Sequence, residues 1–487
     1  MARPRKPEDP ETYPTPCARC GGHYPLSVTW PDGRLCTSCR MKAMRTTGTC
    51  ACGHVGVLPG RIDGLPACRA CSGVRVNIDC RRCGAETELY RNQMCQRCVL
   101  ADLVDAAFAD PRTGRVSAQL RPVADAITSM ERANSGLTWI RQKHVHSMLR
   151  EVAATSPVTH ASMDRLDRGR TRDYIRGLLV EHGVLEPRDE LIARFTEWAD
   201  DAEDRIADAD HRAIVHRYIR WKHLRHMRAD SPISNGTFLR AKQVTTVAIE
   251  FCNWLTANGR TLASATQGDL DTWIAEGATT RLMVAWFLTW TRTAQVTDPA
   301  LTVPRHRRGT ATRLPHDDQA GALDHVLTSS EWSSRNQFAA LLVLVFAQPI
   351  ARIVRLRWDD VTIAPDSVIV NLAGTPIRFD HPLDGPVRDL AANPEQANTA
   401  AHSDSPWLFR GAMPGNHITA MHMRQQLRPL FSSLAARLGT LTELARQTPV
   451  AILAEALGYT AATLEKHAAA SGGDYGNYVS DLTRARR

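Results

Sequence analysis

Paired cysteines near the N-terminus constrain the fold of this chain more than any other feature of its sequence. Twelve of the thirteen cysteines fall between Cys17 and Cys98, in three units of four whose inner gaps are 15, 15 and 11 residues. Two close cysteine pairs joined by a short hairpin can complete a tetrahedral four-sulfur shell, which is the pattern of a zinc ribbon. The spacing therefore predicts three tandem zinc ribbons over residues 12–100, with about three zinc ions. The predicted ligands are Cys17, Cys20, Cys36, Cys39, Cys50, Cys52, Cys68, Cys71, Cys80, Cys83, Cys95 and Cys98.

A disulfide framework is the alternative use of these cysteines. Disulfides need an oxidising compartment, normally reached with a signal peptide, and the first ten residues contain no apolar segment of that kind. We therefore expect zinc, and because four thiolates close the shell, we expect the ions to be structural. The middle unit begins with the tighter pair Cys50-Ala-Cys52, so His54 is an alternative ligand there.

The formal charge of +9, with a pI near 9.0, favours a polyanionic partner, most simply double-stranded DNA. This charge does not come from the cysteine region. Residues 1–100 carry 15 Lys/Arg and 8 Asp/Glu, a balance of +7, and three four-thiolate zinc sites at about −2 each reduce it to about +1. The ribbons are therefore candidates for binding a protein partner rather than for gripping DNA.

The middle of the chain is predicted to be helical. Residues 101–230 are expected to form several helices, and residues 235–300 a compact helical bundle. Within His216–Arg228 there is no acidic residue, and a helical arc there contains Trp221 and three predicted DNA-binding arginines; a solvated helix face is the alternative. These arginines are Arg217, Arg220 and Arg228.

A basic linker is expected at residues 301–320, followed by a last domain at 321–487. The linker supplies three further predicted DNA contacts, Arg305, Arg307 and Arg308. The last domain begins with the apolar segment Phe338–Ala347, which is far shorter than the ~18 residues of a membrane span. Short strand-like runs follow at 361–363, 368–372 and 377–379.

The segment Phe346–Val361, FAQPIARIVRLRWDDV, resembles the helix-to-hairpin entry of tyrosine recombinases (phage-integrase type), which reads like TGLRISELLALRWSDI before a three-stranded meander. The resemblance covers roughly residues 235–487. It implies a mainly α chain in which tandem zinc ribbons and a helical middle precede a SAM-like core-binding bundle. A tyrosine-recombinase-like α domain with a small three-stranded β meander would complete it.

The resemblance also implies a catalytic set, which this sequence matches poorly. Counting back from Trp358, the first arginine should stand at Pro349, and Arg352 is a conjectural substitute. The segment Leu457-Gly458-Tyr459 resembles the family's Leu-Gly-His, and the second arginine then falls on Arg437. The nucleophilic tyrosine is expected at Ala468, with Tyr475 and Tyr478 further along. Losing one oriented donor typically costs ~10²–10³ in rate.

These observations lead to three functional hypotheses. The first is a cytoplasmic, nucleoid-associated DNA-binding protein of the integrase type, acting in recombination, integration or their regulation, with degraded strand-cleavage chemistry. The second is an active site-specific recombinase with rearranged catalytic residues, Arg352, Arg437 and Tyr478. The third is an interaction scaffold or transcription regulator whose ribbons bind a protein. For 449–464, a helix-turn-helix is an alternative to two helices beneath a recombinase cleft.

Overall fold

A computed structural model describes residues 8–304, 312–393 and 405–471 of the chain. The predicted linker arginines Arg305, Arg307 and Arg308, and the late tyrosines Tyr475 and Tyr478, lie outside the described residues. Two compact units are present: Met1–Leu185 together with Thr312–Arg487 form one, and Glu186–Ala311 form the other. Among the described residues, no helix combines the length and the apolar character that crossing a membrane requires.

Residues 17–98 fold into three small units built on antiparallel hairpins beside their cysteines, with one hairpin in the first unit, two in the second and one in the third. The elements are β1 Leu26–Trp30, β2 Gly33–Cys36, α1 Thr37–Met44, β3 Thr47–Thr49, β4 Val55–Val57, β5 Gly60–Ile62, β6 Leu65–Ala67, α2 Arg69–Ser72, β7 Leu89–Arg91 and β8 Met94–Cys95. This confirms the expected ribbon architecture.

The three ribbons pack against one another. Trp30 and Leu35 of the first ribbon share a buried core with Val57 of the second and with Ile78, which precedes the third. Arg19 joins the first two ribbons, since its guanidinium donates to Asp32 and to the main-chain carbonyl of Pro59, both at 2.7 Å. The ribbons therefore form one structural module.

The third ribbon runs directly into the helical region. Helix α3 begins at Gln96, and the Cys95 sulfur at its N-terminus accepts a hydrogen bond from the main-chain NH of Cys98. The same helix buries Leu100, Val104 and Phe108 in the core of the next segment, so the domain boundary expected at residue 100 falls inside a helix. The helices of this region are α3 Gln96–Phe108, α4 Arg121–Ser129, α5 Ala133–Ile140, α6 Lys143–Ala153, α7 His160–Asp164 and α8 Arg170–Glu181.

The second compact unit is a helical bundle that begins earlier than the expected residue 235. Phe195 and Tyr218, from the segment before 235, share one core with Phe251, Trp273 and Phe287. A π-helical turn, Ile219–Leu224, and a 3-10 turn, Thr279–Met283, interrupt the α-helices. The helices are α9 Glu190–Glu203, α10 Ala209–Tyr218, α11 Arg225–Ala229, α12 Asn235–Ala257, α13 Gln267–Ala275 and α14 Val284–Thr293.

The last segment contains a buried helix, a three-stranded meander and a C-terminal helical layer. Every residue from Phe338 to Leu344 is buried, as expected for its apolar sequence. The helices are α15 His316–Thr328, α16 Ser334–Leu344, α17 Ile350–Ile353, α18 Gly385–Ala392, α19 Ala420–Leu427, α20 Ser433–Gln447, α21 Val450–Leu457 and α22 Ala461–Ser471, and the strands are β9 Val361–Ile363, β10 Val368–Asn371 and β11 Pro376–Phe379.

The meander confirms the expected three strands. Strand β10 lies in the middle and pairs antiparallel with both neighbours, so that Val370 lies opposite Val361 on one side and Ile377 on the other. Val368 and Val370 point into the core, while Ile369 and Asn371 are exposed, which is the period-two alternation of a sheet with one buried face. The expected fold class, mainly α with small antiparallel sheets, is therefore confirmed.

Candidate metal centres and candidate nucleic-acid interface

Three groups of four cysteine sulfurs converge in the structure, and they are the three groups expected from the spacing. Within each group all four sulfurs lie within 4.8 Å of one another. Four sulfurs at about 2.3 Å from a tetrahedral zinc ion stand about 3.8 Å apart. The observed Sγ–Sγ distances are 3.9 Å for Cys20–Cys36, 3.7 Å for Cys52–Cys68 and 3.7 Å for Cys80–Cys98. These distances fit a metal shell, and none of the thirteen cysteines forms a disulfide.

Main-chain NH groups lower the pKa of one thiol in each group. Burial opposes ionisation of Cys17, yet hydrogen bonds from main-chain NH groups, first that of Cys36, lower the pKa of its thiol to about 6. The NH of Cys68 does the same for Cys50, whose pKa is also lowered to about 6. Burial raises the pKa of Cys80, but hydrogen bonds from the main-chain NH groups of Cys83 and Cys95 outweigh this effect and lower the pKa to about 6. In the same groups, burial raises the pKa of Cys39 and of Cys98, and hydrogen bonding with Cys52 raises the pKa of Cys71. The contacts therefore favour one thiolate in each group, and a bound metal would have to deprotonate the others.

His54 is placed elsewhere than the alternative ligand set requires. Its Nε2 lies 2.9 Å from the Glu86 carboxylate, and the four sulfurs of the middle group converge without it. Glu86 also accepts from the main-chain NH of Val57 at 3.1 Å and from Arg69 at 3.1 Å, and Arg69 pairs with Asp79 at 2.9 Å. Despite partial burial, these donors lower the pKa of Glu86. His54 therefore belongs to an ionic network that joins the second ribbon to the third.

Arg352 and Arg437 both approach Tyr459 in the C-terminal segment. The guanidinium of Arg352 lies 5.8 Å from the Tyr459 ring centroid. Burial raises the pKa of Tyr459, while the positive charges of Arg437 and Arg352 act in the opposite direction. Arg437 lies on α20 and is partly exposed, and Arg352 lies on α17.

The guanidinium of Arg352 is occupied by hydrogen bonds that hold the end of α21. It donates to the main-chain carbonyls of Leu457 at 2.5 Å and Gly458 at 2.7 Å, and to the Gln348 side chain at 3.2 Å. Gly458 ends α21 in the left-handed conformation, with φ of 66°, and a Cβ there would lie 2.8 Å from an Arg352 nitrogen. Arg352 thus acts as a clamp on the turn between α21 and α22.

The turn before α17 is stabilised by Tyr459. Ala347 adopts a positive φ of 54°, which is uncommon for a residue with a side chain. Its carbonyl accepts a hydrogen bond from the Tyr459 hydroxyl. Pro349, at the position implied for the first arginine, caps α17 and offers no side-chain donor. Tyr459 therefore holds the backbone before Pro349, while Arg352, three residues after Pro349, is bonded to the end of α21.

His467 and Arg313 are additional polar residues of this region that the sequence analysis missed. Burial lowers the pKa of His467, and the positive charges of Arg313 and Arg437 lower it further. Its Nδ1 is buried and has no hydrogen-bond partner within the described part of the chain. The signal was available, because His467 directly precedes Ala468, where the resemblance implies a nucleophile. The arrangement gathers cationic groups suited to an anion such as a phosphate.

The basic face of the second unit is exposed, as the sequence suggested. Arg217, Arg220 and Arg228 are all exposed. Arg220 lies 3.7 Å from Asp200 of α9, so its charge is partly compensated. The π-helical turn at Ile219–Leu224 changes the angular step between residues, so the arc calculated for a regular α-helix does not apply across it.

No family model and no curated protein matches this chain. Its structure is similar in part to solved structures of tyrosine recombinases and integrases. The XerH site-specific recombinase bound to palindromic difH substrate matches with 10% identity and a TM-score of 0.38, over 61% of this chain and 95% of that one. The Tn1549 transposon integrase bound to circular-intermediate DNA matches with 13% identity and a TM-score of 0.37, over 56% and 99%. A lambda integrase dimer bound to a core site matches with 12% identity and a TM-score of 0.34, over 52% and 94%. This likeness concerns the fold alone and assigns no residue a role.

Proposed function

We propose that this protein binds double-stranded DNA through a tyrosine-recombinase-like C-terminal half and acts in recombination, integration or their regulation without cleaving DNA itself. The observation that carries the proposed loss of DNA cleavage is that the guanidinium of Arg352 is already hydrogen-bonded within the protein. Its guanidinium donors are directed to the carbonyls of Leu457 and Gly458 and to the Gln348 side chain, so they support the fold rather than a phosphate. Pro349 adds no donor, which leaves Arg437 and Arg313 as the cations around Tyr459 and His467. Such a site can hold a phosphate, but it lacks the oriented set that stabilises phosphoryl transfer.

An adduct assay on nicked duplex DNA tests the loss of cleavage. A suicide substrate traps the covalent protein–DNA intermediate of a tyrosine nucleophile, and we expect no adduct with the wild-type chain. The control is a known active recombinase on its own substrate in the same assay. A covalent adduct that disappears in Tyr478→Phe would overturn the proposal and establish the active recombinase with Arg352, Arg437 and Tyr478.

We further propose that the three cysteine groups hold structural zinc. The support is the closed four-sulfur geometry, which leaves no position for substrate or water, and the depressed thiol pKa values of Cys17, Cys50 and Cys80. Elemental analysis of the purified chain should find about three zinc ions per molecule. Fewer than two ions per chain would contradict the three-site assignment.

A protein partner for the ribbons is the second candidate function. Three large apolar side chains of the second ribbon are exposed, Val55 at 75%, Leu65 at 71% and Ile62 at 45%, and Ile62 lies directly opposite Leu65 across β5 and β6. Exposed apolar groups on a module of low net charge suit a protein surface better than a phosphate backbone. Duplex binding that is weak even at low salt would favour this scaffold function over DNA binding.

A further inference from the structure

Two tryptophans of the helical bundle are exposed to solvent. Trp221, in the π-helical turn, is 61% exposed, and Trp286, on α14, is 55% exposed. Tryptophan carries the largest apolar surface of any side chain, and folded domains normally bury most of it. The same bundle buries Trp273 to 1% exposure, so its core accommodates this side chain where the fold requires it. The two exposed rings therefore point to a ligand rather than to packing.

The two exposed rings belong to helical segments that an aromatic contact joins. Tyr218 packs against Trp290 with ring centroids 5.2 Å apart and against Phe287 at 5.1 Å. Trp221 follows Tyr218 by three residues, and Trp286 precedes Trp290 by four. On α14, residues four apart are neighbours along one face, so Trp286 lies one turn from Trp290. Trp221 lies in the π-helical turn that directly follows Tyr218, so the two exposed rings belong to the two helical segments that the Tyr218–Trp290 contact joins.

Each exposed ring has an arginine beside it. The guanidinium carbon of Arg225 lies 5.8 Å from the Trp221 ring centroid, and that of Arg240 lies 6.0 Å from the Trp286 centroid. The high exposure of both indoles leaves ring surface open to solvent. A planar group can therefore stack on each indole while the neighbouring guanidinium makes a cation–π contact with the same ring.

The surrounding charge selects the ligand. The segment from His216 to Arg228 contains no acid, and Arg217, Lys222 and Arg228 are exposed together with Trp221. Two of its basic groups are compensated by α9, because Arg220 lies 3.7 Å from Asp200 and His216 lies 2.8 Å from Glu203. The remaining cations complement a polyanion, and the two rings complement flat, unsaturated groups. Single-stranded nucleic acid supplies both features on one chain.

We propose that Trp221 and Trp286 are each a stacking site for unpaired nucleobases of single-stranded DNA, and that Arg225 and Arg240 contribute beside the rings. In a paired duplex the base faces are stacked on one another, so this site distinguishes unpaired from paired DNA. The inference goes beyond duplex binding, and it uses residues of the helical bundle alone.

The test is binding of the full chain to a labelled oligothymidylate, an abasic strand of the same length and a fully paired duplex, at one salt concentration. Trp221→Ala and Trp286→Ala should each weaken oligothymidylate binding roughly 5- to 150-fold, as expected for the loss of one base–aromatic stack. Affinity for the abasic strand and for the duplex should change less than about 2-fold, since phosphates dominate there. Trp221→Phe and Trp286→Phe should restore most of the lost affinity, because phenylalanine also presents a stacking face.

Leu65→Ala is the matched control, because it removes an exposed apolar side chain outside the bundle. It should leave oligothymidylate affinity unchanged. The proposal is overturned if the alanine variants bind oligothymidylate like the wild type, or if they lose the same factor on the abasic strand or the duplex. It is also overturned if they change the self-association of the free protein, since the rings would then contact a second copy. Duplex binding does not require the two rings, so it is measured separately from base stacking and the two proposals fail independently.

Discussion

The guanidinium of Arg352 donates to three oxygens, two of them main-chain carbonyls at the end of α21. Those carbonyls have no partner inside the helix, because the last turn of any helix lacks the next turn's NH groups. Arg352 supplies the missing donors. In sequence it looked like a displaced catalytic cation, whereas its contacts are those of a helix cap. The neighbouring Tyr459 hydroxyl satisfies the Ala347 carbonyl in the same way.

We expect Arg352→Gln to destabilise the C-terminal domain by roughly 2–4 kcal/mol, because charged hydrogen bonds to partly buried carbonyls are lost together. Urea unfolding of the full chain, with hydrogen exchange of α21 and α22, measures the change. Arg355→Gln is the matched control, since Arg355 is an exposed arginine on the same turn. Unchanged stability with a large loss of DNA affinity would show instead that Arg352 binds phosphate.

His223 gives the helical bundle a pH dependence. Burial, together with the nearby charges of Lys222 and His226, lowers the pKa of His223 to about 4, and its ring packs 4.7 Å from that of Tyr218. Between pH 6.5 and pH 4 the unfolded chain therefore binds this proton and the folded chain does not. The free energy of unfolding should fall as the pH is lowered through this range, by about 2 kcal/mol between pH 6.5 and pH 5.

His223→Phe removes the titrating group and keeps an aromatic ring in the same place. Unfolding followed by hydrogen exchange in α10 and α14 should show a smaller loss of stability on acidification in the variant than in the wild type. Equal pH dependence in the two proteins would contradict this assignment.

At the scale of elements, helix α3 joins metal binding to the helical core. Its N-terminus carries Cys98, a sulfur of the third group, and its following turns bury Leu100, Val104 and Phe108. An ion bound by the third ribbon fixes the first turn of a helix around which α4, α5 and α6 pack. The first ribbon has no comparable continuation, since α1 ends at Met44 and β3 follows.

Cys83→Ser and Cys20→Ser form a matched pair, because both cysteines are exposed members of their groups. Each change should lower the zinc content by about one ion. Cys83→Ser should also reduce hydrogen-exchange protection in α3 and α5, while Cys20→Ser should leave these two helices close to wild type. Equal loss of protection in both variants would show that the ribbons stabilise the helical region only as a whole.

At the scale of the whole molecule, the charge of +9 is distributed so that the ribbons would contribute little of it with the proposed zinc ions bound. The cations that remain available for a polyanion lie in the bundle face around Arg217 and in the region of Arg437. DNA binding by this protein should therefore be an electrostatic property of residues beyond the ribbons.

We expect duplex affinity to fall steeply with salt, in proportion to the number of phosphates neutralised. Arg217→Gln and Arg437→Gln should each weaken binding to any duplex and reduce the slope of log K against log salt by about 1. Arg61→Gln, which removes an exposed arginine of the second ribbon, serves as the control and should leave the slope unchanged. A salt-independent affinity would contradict an electrostatic interface and favour the scaffold function.

The sequence by itself determined the three four-cysteine groups and much of the secondary structure. Two cysteine pairs joined by one short hairpin are close enough to meet, so spacing predicted the three groups into which the twelve sulfurs converge. The sequence also predicted the meander, because short runs rich in β-branched residues such as Val368–Asn371 are separated by turn residues. Which face of β10 is buried was seen only in the structure, since Ile369 is as apolar as its neighbours.

Only the tertiary structure decided what the cations and rings contact. His54, Arg352 and Tyr459 stand at positions where spacing suggests a ligand or a catalytic group, yet each is held by residues distant in sequence: Glu86, Leu457 and Ala347. The same holds for Trp221 and Trp286, which belong to different helical elements and are related through the packing of Tyr218 on Trp290. Local spacing encodes groups that meet within one turn or hairpin, whereas long-range contacts depend on how the elements pack.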